Sequence, residues 1–352
     1  MRRPALALLF LVLTVGCDRT PRLVPPGGDS TAAIPADSTA AYVQMARERW
    51  DSPDQMEDAA SLVARVLLDD LRAHAGEPLN GRARDFADSL LLGAEVVGGR
   101  ELAIVNLFAR ADPTAGSWPW LFWRASGRTH AQSLEAQGMR LSGVSVESAD
   151  ASALLGGARV AVLFARAGAG GQQPFVFVWQ RPPDATSWRL AQSLGADSLG
   201  AVGTARFVEP GSGGIALVSR THRVAQGFDE CASCPHVHRT RSFRWGPAGL
   251  VSVGEAVERT PYYSFIQFIH ALVAGDFDLA GHWAADGSIV EAATGYEWGR
   301  SKGRWRLAPG TGPNARDLLF LRGTQEAYRV HFTSRGDDWV ISGLEPSNRT
   351  IE

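Results

Sequence analysis

The sequence predicts a multi-unit α+β protein: N-terminal helices, a central antiparallel all-β repeat body that is either propeller-like or an open array, and a C-terminal α+β module. Three observations carry this. Apolar residues recur at helical spacing after residue 39, a strand-rich stretch repeats itself about every 56 residues, and residues 260–352 return to helices before a last run of strands. Composition suits folded domains: 352 residues, 45% hydrophobic and 20% charged, suffice for a sizeable core divided over two or three units. A formal net charge of -2 without a basic block argues against a nucleic-acid partner.

Residues 1–16 have the parts of an export signal. Arg2 and Arg3 form a short positive start, Ala5 to Val15 is apolar but too short to span a bilayer, and the small Gly16 stands directly before Cys17. The segment resembles a bacterial lipoprotein signal peptide with its lipobox, departing from it at Thr14, where Leu is usual. That resemblance implies cleavage before Cys17, a diacylglycerol on its thiol, and a protein exported and lipid-anchored to the cell envelope. It would sit on the periplasmic face of a bacterial membrane or on the cell surface; Asp18 does not decide between inner and outer membrane. The membrane is then a partner through the lipid alone. Residues 17–38 are rich in Pro, Gly, Ser and Thr and poor in apolar groups, so they read as a flexible tether.

Residues 39–93 read as a helical segment. Ser52-Pro53-Asp54-Gln55 predicts a helix start, with Ser52 as cap and Pro53 at the first helical position. Met56, Ala59, Val63, Val66, Leu67 and Leu71 then line one face, and Gly76 with Pro78 ends the element. A shorter helix follows from about Arg82 to Leu92. The pair Asp69-Asp70 reads as a solvated face rather than a site.

Residues 94–258 form the repeat body, with three repeats of about 56 residues. Leu107-Phe108-Ala109-Arg110-Ala111 recurs as Leu163-Phe164-Ala165-Arg166-Ala167, and Trp123 recurs as Trp179, both at an offset of 56. A diverged third copy carries Ile215 to Arg220 and Ser242 to Trp245. Each unit reads as three or four short strands that must stack on neighbours to bury their apolar faces. Trp123, Trp179 and Trp245 fall at equivalent repeat positions and so read as packing. Trp118 and Trp120, with no aromatic counterpart at this offset, are the candidates for touching a ligand.

The densest chemistry lies in the third copy, at Cys231-Ala232-Ser233-Cys234-Pro235-His236-Val237-His238. With Cys17 consumed by lipid, Cys231 and Cys234 remain as a pair, for which an exported compartment favours a disulfide at a hairpin tip. Two alternatives stay open. Cys231, Cys234, His236 and His238, with His222 assisting, are a candidate set for zinc or copper. Cys-x-x-Cys is also a thiol–disulfide exchange spacing, though without the helix that redox pairs use. Beyond these alternatives no cofactor is implied. The Gly168 to Gly171 loop reads as a flexible turn between two strands.

Residues 260–352 begin with the apolar helix Tyr262 to Val273, followed by Gly275-Asp276-Phe277-Asp278-Leu279-Ala280, with Asp276 a candidate cap. Strands are expected at 303–307, 317–321, 327–333 and 338–344. This order, with the phrase Ala271-Leu272-Val273-Ala274-Gly275-Asp276-Phe277-Asp278-Leu279-Ala280 at the helix junction, resembles the NTF2-like (SnoaL-like, cystatin-like) superfamily. The resemblance implies a cone between helix and sheet, used either as an enzyme pocket or as a binding surface. Tyr263, His270, His282 and Tyr296 are available there; His270, on an apolar helix, reads as a hydrogen-bonded core histidine. No nucleophile elbow, phosphate loop or HExxH motif occurs. The leading expectation is therefore a lipid-anchored envelope protein of non-catalytic, binding or scaffolding type, with an unidentified protein or small-molecule partner. The alternatives are a small hydrolase, isomerase or dehydratase using the C-terminal cone, and a metal or thiol-redox protein centred on Cys231 to His238.

Overall fold

The computed structural model describes residues 36–347 apart from positions 51, 53, 90–92, 109–115, 148–156, 169, 184, 210–213, 232–233 and 309–314. Cys17 and most of the expected tether lie outside the described residues. Three helices open the described chain: α1 (Ala36–Trp50), α2 (Met56–Ala73) and α3 (Leu79–Ser89). Helix α2 buries Met56, Ala59, Ala60, Val63, Ala64, Val66, Leu67 and Leu71, the stripe expected from 3.6-residue spacing. It starts later than the Ser52-Pro53 signal predicts, with Gln55 at the cap position. The reason is local: Ser52 N–H bonds the Arg49 carbonyl at the end of α1, and the Ser52 carbonyl accepts from Gln55 at 2.9 Å, so this stretch makes the α1–α2 turn. Asp70 is also more than a solvated group, since both its oxygens accept from Arg82 (2.5 and 2.6 Å) and tie α2 to α3.

Four open, four-stranded antiparallel sheets follow, each with its strands in chain order. The first comprises β1 (Gly93–Gly98), β2 (Leu102–Phe108), β3 (Ser117–Ala125) and β4 (Arg128–Ser133). The second comprises β5 (Arg140–Val146), β6 (Ala158–Gly168), β7 (Gly171–Arg181) and β8 (Arg189–Leu194). A one-turn helix α4 (Ala196–Leu199) leads into the third: β9 (Val202–Phe207), β10 (Leu217–His222), β11 (His238–Gly246) and β12 (Gly249–Val257). The first strands of successive sheets are neighbours, β1 touching β5 and β5 touching β9.

Burial shows how these three sheets stack. Ala103, Val105, Leu107 and Phe122 pack against α1–α3, whereas Ile104, Leu121 and Trp123 face the second sheet. The second sheet meets them with Val160, Val162, Phe164, Phe177 and Trp179, and turns Ala161, Leu163, Val176 and Val178 toward Leu217, Phe243 and Leu250 of the third. The sheets therefore stack front to back, and the faces of the first two match at an offset of 57: Ala103 with Val160, Val105 with Val162, Phe122 with Trp179.

This corrects the sequence reading by one residue. At an offset of 56, Leu107 lies under the helices while Leu163 faces the third sheet, because a one-residue slip exchanges the faces of a strand. Trp123 and Trp179 are buried, as packing residues should be, but they meet in one interface from opposite sheets. At the true offset Trp118 and Trp120 do have aromatic counterparts, Phe175 and Phe177. The third sheet ends the array because its outer face is polar, presenting Arg206, Arg220, Ser242 and Arg244 beside Val218 and Val251.

The C-terminal unit holds α5 (Pro261–Ala274), α6 (Phe277–His282) and α7 (Gly287–Gly295), then β13 (Trp305–Leu307), β14 (Asp317–Arg322), β15 (Glu326–Arg335) and β16 (Asp338–Pro346). Thr260 caps α5 by accepting from Tyr263 N–H at 3.1 Å, with Pro261 at the first helical position. Gly275 closes the helix at φ 73°, in the left-handed region, and Asp276 caps α6 as expected. Helix α7 is an addition to the sequence reading; its signal is Asp286, whose carboxylate accepts from Ser288 N–H at 2.9 Å. Between helices and sheet lie Phe265, Phe268, Trp298, Trp305, Phe320 and Tyr328 in one buried cluster with Trp283. The space that a hollow cone would leave is occupied by these rings.

Candidate functional site

The segment between β10 and β11 is not the tight hairpin tip expected for the cysteine pair. It is a long excursion, residues 223–237, that leaves the third sheet and enters the C-terminal unit. Phe228 is fully buried there and forms a parallel bridge with Trp305; Asp229 N–H donates to the Trp305 carbonyl at 2.7 Å, and Trp305 N–H to the Gly227 carbonyl at 2.9 Å. An apolar side chain flanked by two sheet-type hydrogen bonds thus extends the last sheet with a residue from the third.

At the root of this excursion the chain gathers three of its eight histidines. His222 ends β10 opposite His238, which starts β11. His236 stacks on His222 with ring centroids 3.7 Å apart and planes 11° from parallel, and His238 meets His222 edge-on at 5.3 Å. Glu230, its side chain only 2% exposed, lies 2.8 Å from His236 Nδ1 and accepts from the Tyr262 hydroxyl of α5 at 2.8 Å. One carboxylate therefore links the two arms of the excursion to the C-terminal helix. His238 Nδ1 lies 3.0 Å from Arg220 Nη2, while Arg220 also forks onto Glu258 at 2.7 and 2.9 Å.

His236 Nε2 and His222 Nδ1 are buried without a hydrogen-bond partner. Leaving such a group unpaired costs about 1–3 kcal/mol, so each marks a place where the fold tolerates a penalty. Both rings line a cavity of about 210 Å³, together with Gly170, Ala201, Val202, Arg223, Val224 and Glu230. Gly170 belongs to the β6–β7 turn that the sequence reads as merely flexible; in the fold that turn forms one wall of the cavity. The Tyr262 hydroxyl is pushed well above its usual range by burial and then by Glu230, and so stays protonated as a donor.

The His222 imidazole is held down to about 4, first by burial and then by His236 and His238, with Arg220 adding to the depression and Glu230 opposing it. His238 is lowered as well, by burial and then by Arg220. An unfolded imidazole takes its proton near 6.5, so between about pH 6.5 and 4 the unfolded chain binds more protons. Stability then falls as pH drops through that window and is level with respect to His222 above it. For this partly exposed ring we expect a loss of roughly 1–2 kcal/mol after solvent screening. Urea titrations at pH 7.0, 5.5 and 4.5 would read it, and equal pH slopes in the native chain and His222→Phe would refute the assignment.

The sulfurs of Cys231 and Cys234 face each other as a disulfide pair. The set Cys231, Cys234, His236 and His238 does not form a coordination shell: the sulfurs face each other, and the Nδ1 atoms of both histidines have protein partners. Among the described residues no three His, Cys, Asp or Glu side chains are arranged to hold a metal ion. Trp118 and Trp120 pack on the helical layer, Trp118 edge-on to Trp50 at 5.7 Å, beside the buried Val105 and Leu107. His270 bonds the Gln226 carbonyl at 2.9 Å and braces the excursion, Tyr263 packs on Trp283, and His282 is exposed. Sequence reasoning missed Glu230, Tyr262 and the importance of His222. Their signal was faint: an acidic residue directly before Cys231, and a tyrosine at the start of an apolar helix.

No protein-family model and no curated protein matches the chain.

Proposed function

We propose that this chain is a lipid-anchored cell-envelope protein that acts by binding, and that it receives its partner or ligand where the third sheet, the β6–β7 turn and the 223–237 excursion meet. The observation that carries this is the cavity of about 210 Å³ at that junction, walled by His222, His236 and Glu230. Cavities between packed units, apolar with a few convergent polar groups, are the usual seat of ligand sites. The C-terminal unit, read as an NTF2-like module, supports binding over catalysis because Trp298 and Trp305 are buried in the space where an enzyme of that kind would hold substrate. The stacked sheets, ended by a polar face, serve as a rigid body behind the site. The signal at Arg2 to Cys17 supports the anchor; among the described residues no helix is long and apolar enough to cross a membrane.

Two measurements test the proposal. In a bacterial host the native chain should fractionate with membranes and incorporate labelled fatty acid, and Cys17→Ala should lose the label and most of the membrane association. Retention of the label in Cys17→Ala would refute the anchor. Hydrolase, isomerase or dehydratase turnover by the purified chain, abolished by Tyr263→Phe or His270→Gln, would overturn the binding reading.

A further inference from the structure

The unpartnered ring nitrogens identify what the junction cavity accepts. A carboxylate can only accept, so Glu230 takes the proton carried on His236 Nδ1 as well as that of the Tyr262 hydroxyl. With the carboxylate ionised and the ring neutral, this fixes the His236 tautomer and leaves Nε2 with a lone pair, buried and unused. His222 Nδ1 is a second unused ring atom on the adjacent ring of the stack.

Apart from Glu230 and the exposed Arg223 at the rim, the other walls are small or apolar. Gly170, Ala201, Val202 and Val224 supply no side-chain hydrogen-bonding group, and Val202 lies 3.1 Å from where a side chain on Gly171 would begin, which keeps the β6–β7 turn close. At about 210 Å³ the cavity is smaller than the pockets that hold drug-sized ligands, so it suits one ring system or a short branched chain. A metal ion fits less well. The stacked rings are 11° from parallel, which keeps the lone pairs of His222 and His236 from converging on one point.

We infer that the junction cavity binds a small, largely apolar molecule, phenol-like or indole-like, that donates a hydrogen bond from its O–H or ring N–H to the His236–His222 pair. The apolar walls bury the ring, and the donor satisfies a nitrogen that the fold leaves empty. Chemical discrimination follows from this arrangement. A site built around an unused acceptor favours the donor-bearing molecule over its methylated analogue, because the analogue leaves the nitrogen unpaired.

The inference rests on the binding reading, and the two fail separately, since envelope anchoring through Cys17 is measured without any ligand. The test uses the detergent-solubilised full chain in calorimetric titrations with phenol, indole, anisole, N-methylindole and zinc chloride alone. Saturable one-to-one binding of phenol or indole is expected, with anisole and N-methylindole at least tenfold weaker. His236→Phe keeps a flat ring in the stack and should weaken the donor ligand at least tenfold while removing the preference over its methylated analogue. Val224→Trp fills the cavity from a position that is 49% exposed, so it should block binding without disturbing the core. The inference is overturned if neither phenol nor indole binds, if the methylated analogues bind equally well, or if Val224→Trp leaves affinity unchanged. Zinc binding lost in both His222→Phe and His238→Phe would instead make the cluster a metal site and overturn it too.

Discussion

Arg159→Ala should cost about 3–5 kcal/mol of stability, visible as a large fall in the guanidinium midpoint, because it strands a buried carboxylate. Arg159, on β6, and Glu147, just after β5, have side chains only 2% and 3% exposed and are joined by a two-pronged ion pair. The remaining guanidinium nitrogen donates to the Gly246 and Pro247 carbonyls at 2.8 and 2.9 Å, in the turn between β11 and β12. The guanidinium carbon also lies 5.4 Å from the centre of the Trp245 ring. One side chain thus ties the second sheet to the third, in an interface that Gln192 of β8 also crosses with two hydrogen bonds to the Leu250 backbone of β12. At the 57-residue offset its counterpart in the first sheet is Leu102, which packs in the next interface without any charge. Removing both charges together is therefore the informative control. Arg159→Met combined with Glu147→Leu should recover much of the loss, since replacing a buried pair by apolar groups is often near neutral. A single-variant loss under 1 kcal/mol would mean that the pair is open to water in solution.

Phe228→Ala should have an effect of similar size and a different character. Emptying a fully buried phenylalanine site costs about 3–5 kcal/mol. Phe228 lies edge-on to Tyr262 and Phe265, each at 6.1 Å, and is the apolar anchor that carries the excursion from the third sheet into the C-terminal core. Its loss should uncouple the two units. Calorimetric scans are expected to show the C-terminal unit melting ahead of the sheet stack, and proteolysis should cut first within residues 223–237. Phe228→Leu should do the same more weakly. A single transition displaced as a whole in Phe228→Ala would show that the units are held together by other contacts.

Much of the fold was legible because its signals are short-range. The α2 stripe, the cap at Asp276 and the four C-terminal strands follow from spacing and turn residues within a few positions of one another. The α1–α2 turn was misplaced because Ser52 has two competing uses, capping a helix or closing a turn, and the Arg49 carbonyl decides for the turn. The candidate site was barely legible. His222 and His236 are separated by fourteen positions and Glu230 and Tyr262 by thirty-two, and neither pair shares an element whose period could announce it.

The sequence by itself determined the alternation of each strand, the presence of three related sheets, the helices before and after them, and the cysteine spacing. Those properties depend on which residues neighbour one another along the chain. Only the tertiary structure decided which face of each strand meets which sheet, and hence that the first two sheets match at 57 rather than 56, because a pleated strand read alone has two equivalent faces. It alone also decided that residues 223–237 enter a different unit, where burial of Phe228 outweighs closing a tight hairpin. That choice draws Glu230 beside Tyr262 and leaves two imidazole nitrogens waiting at the junction.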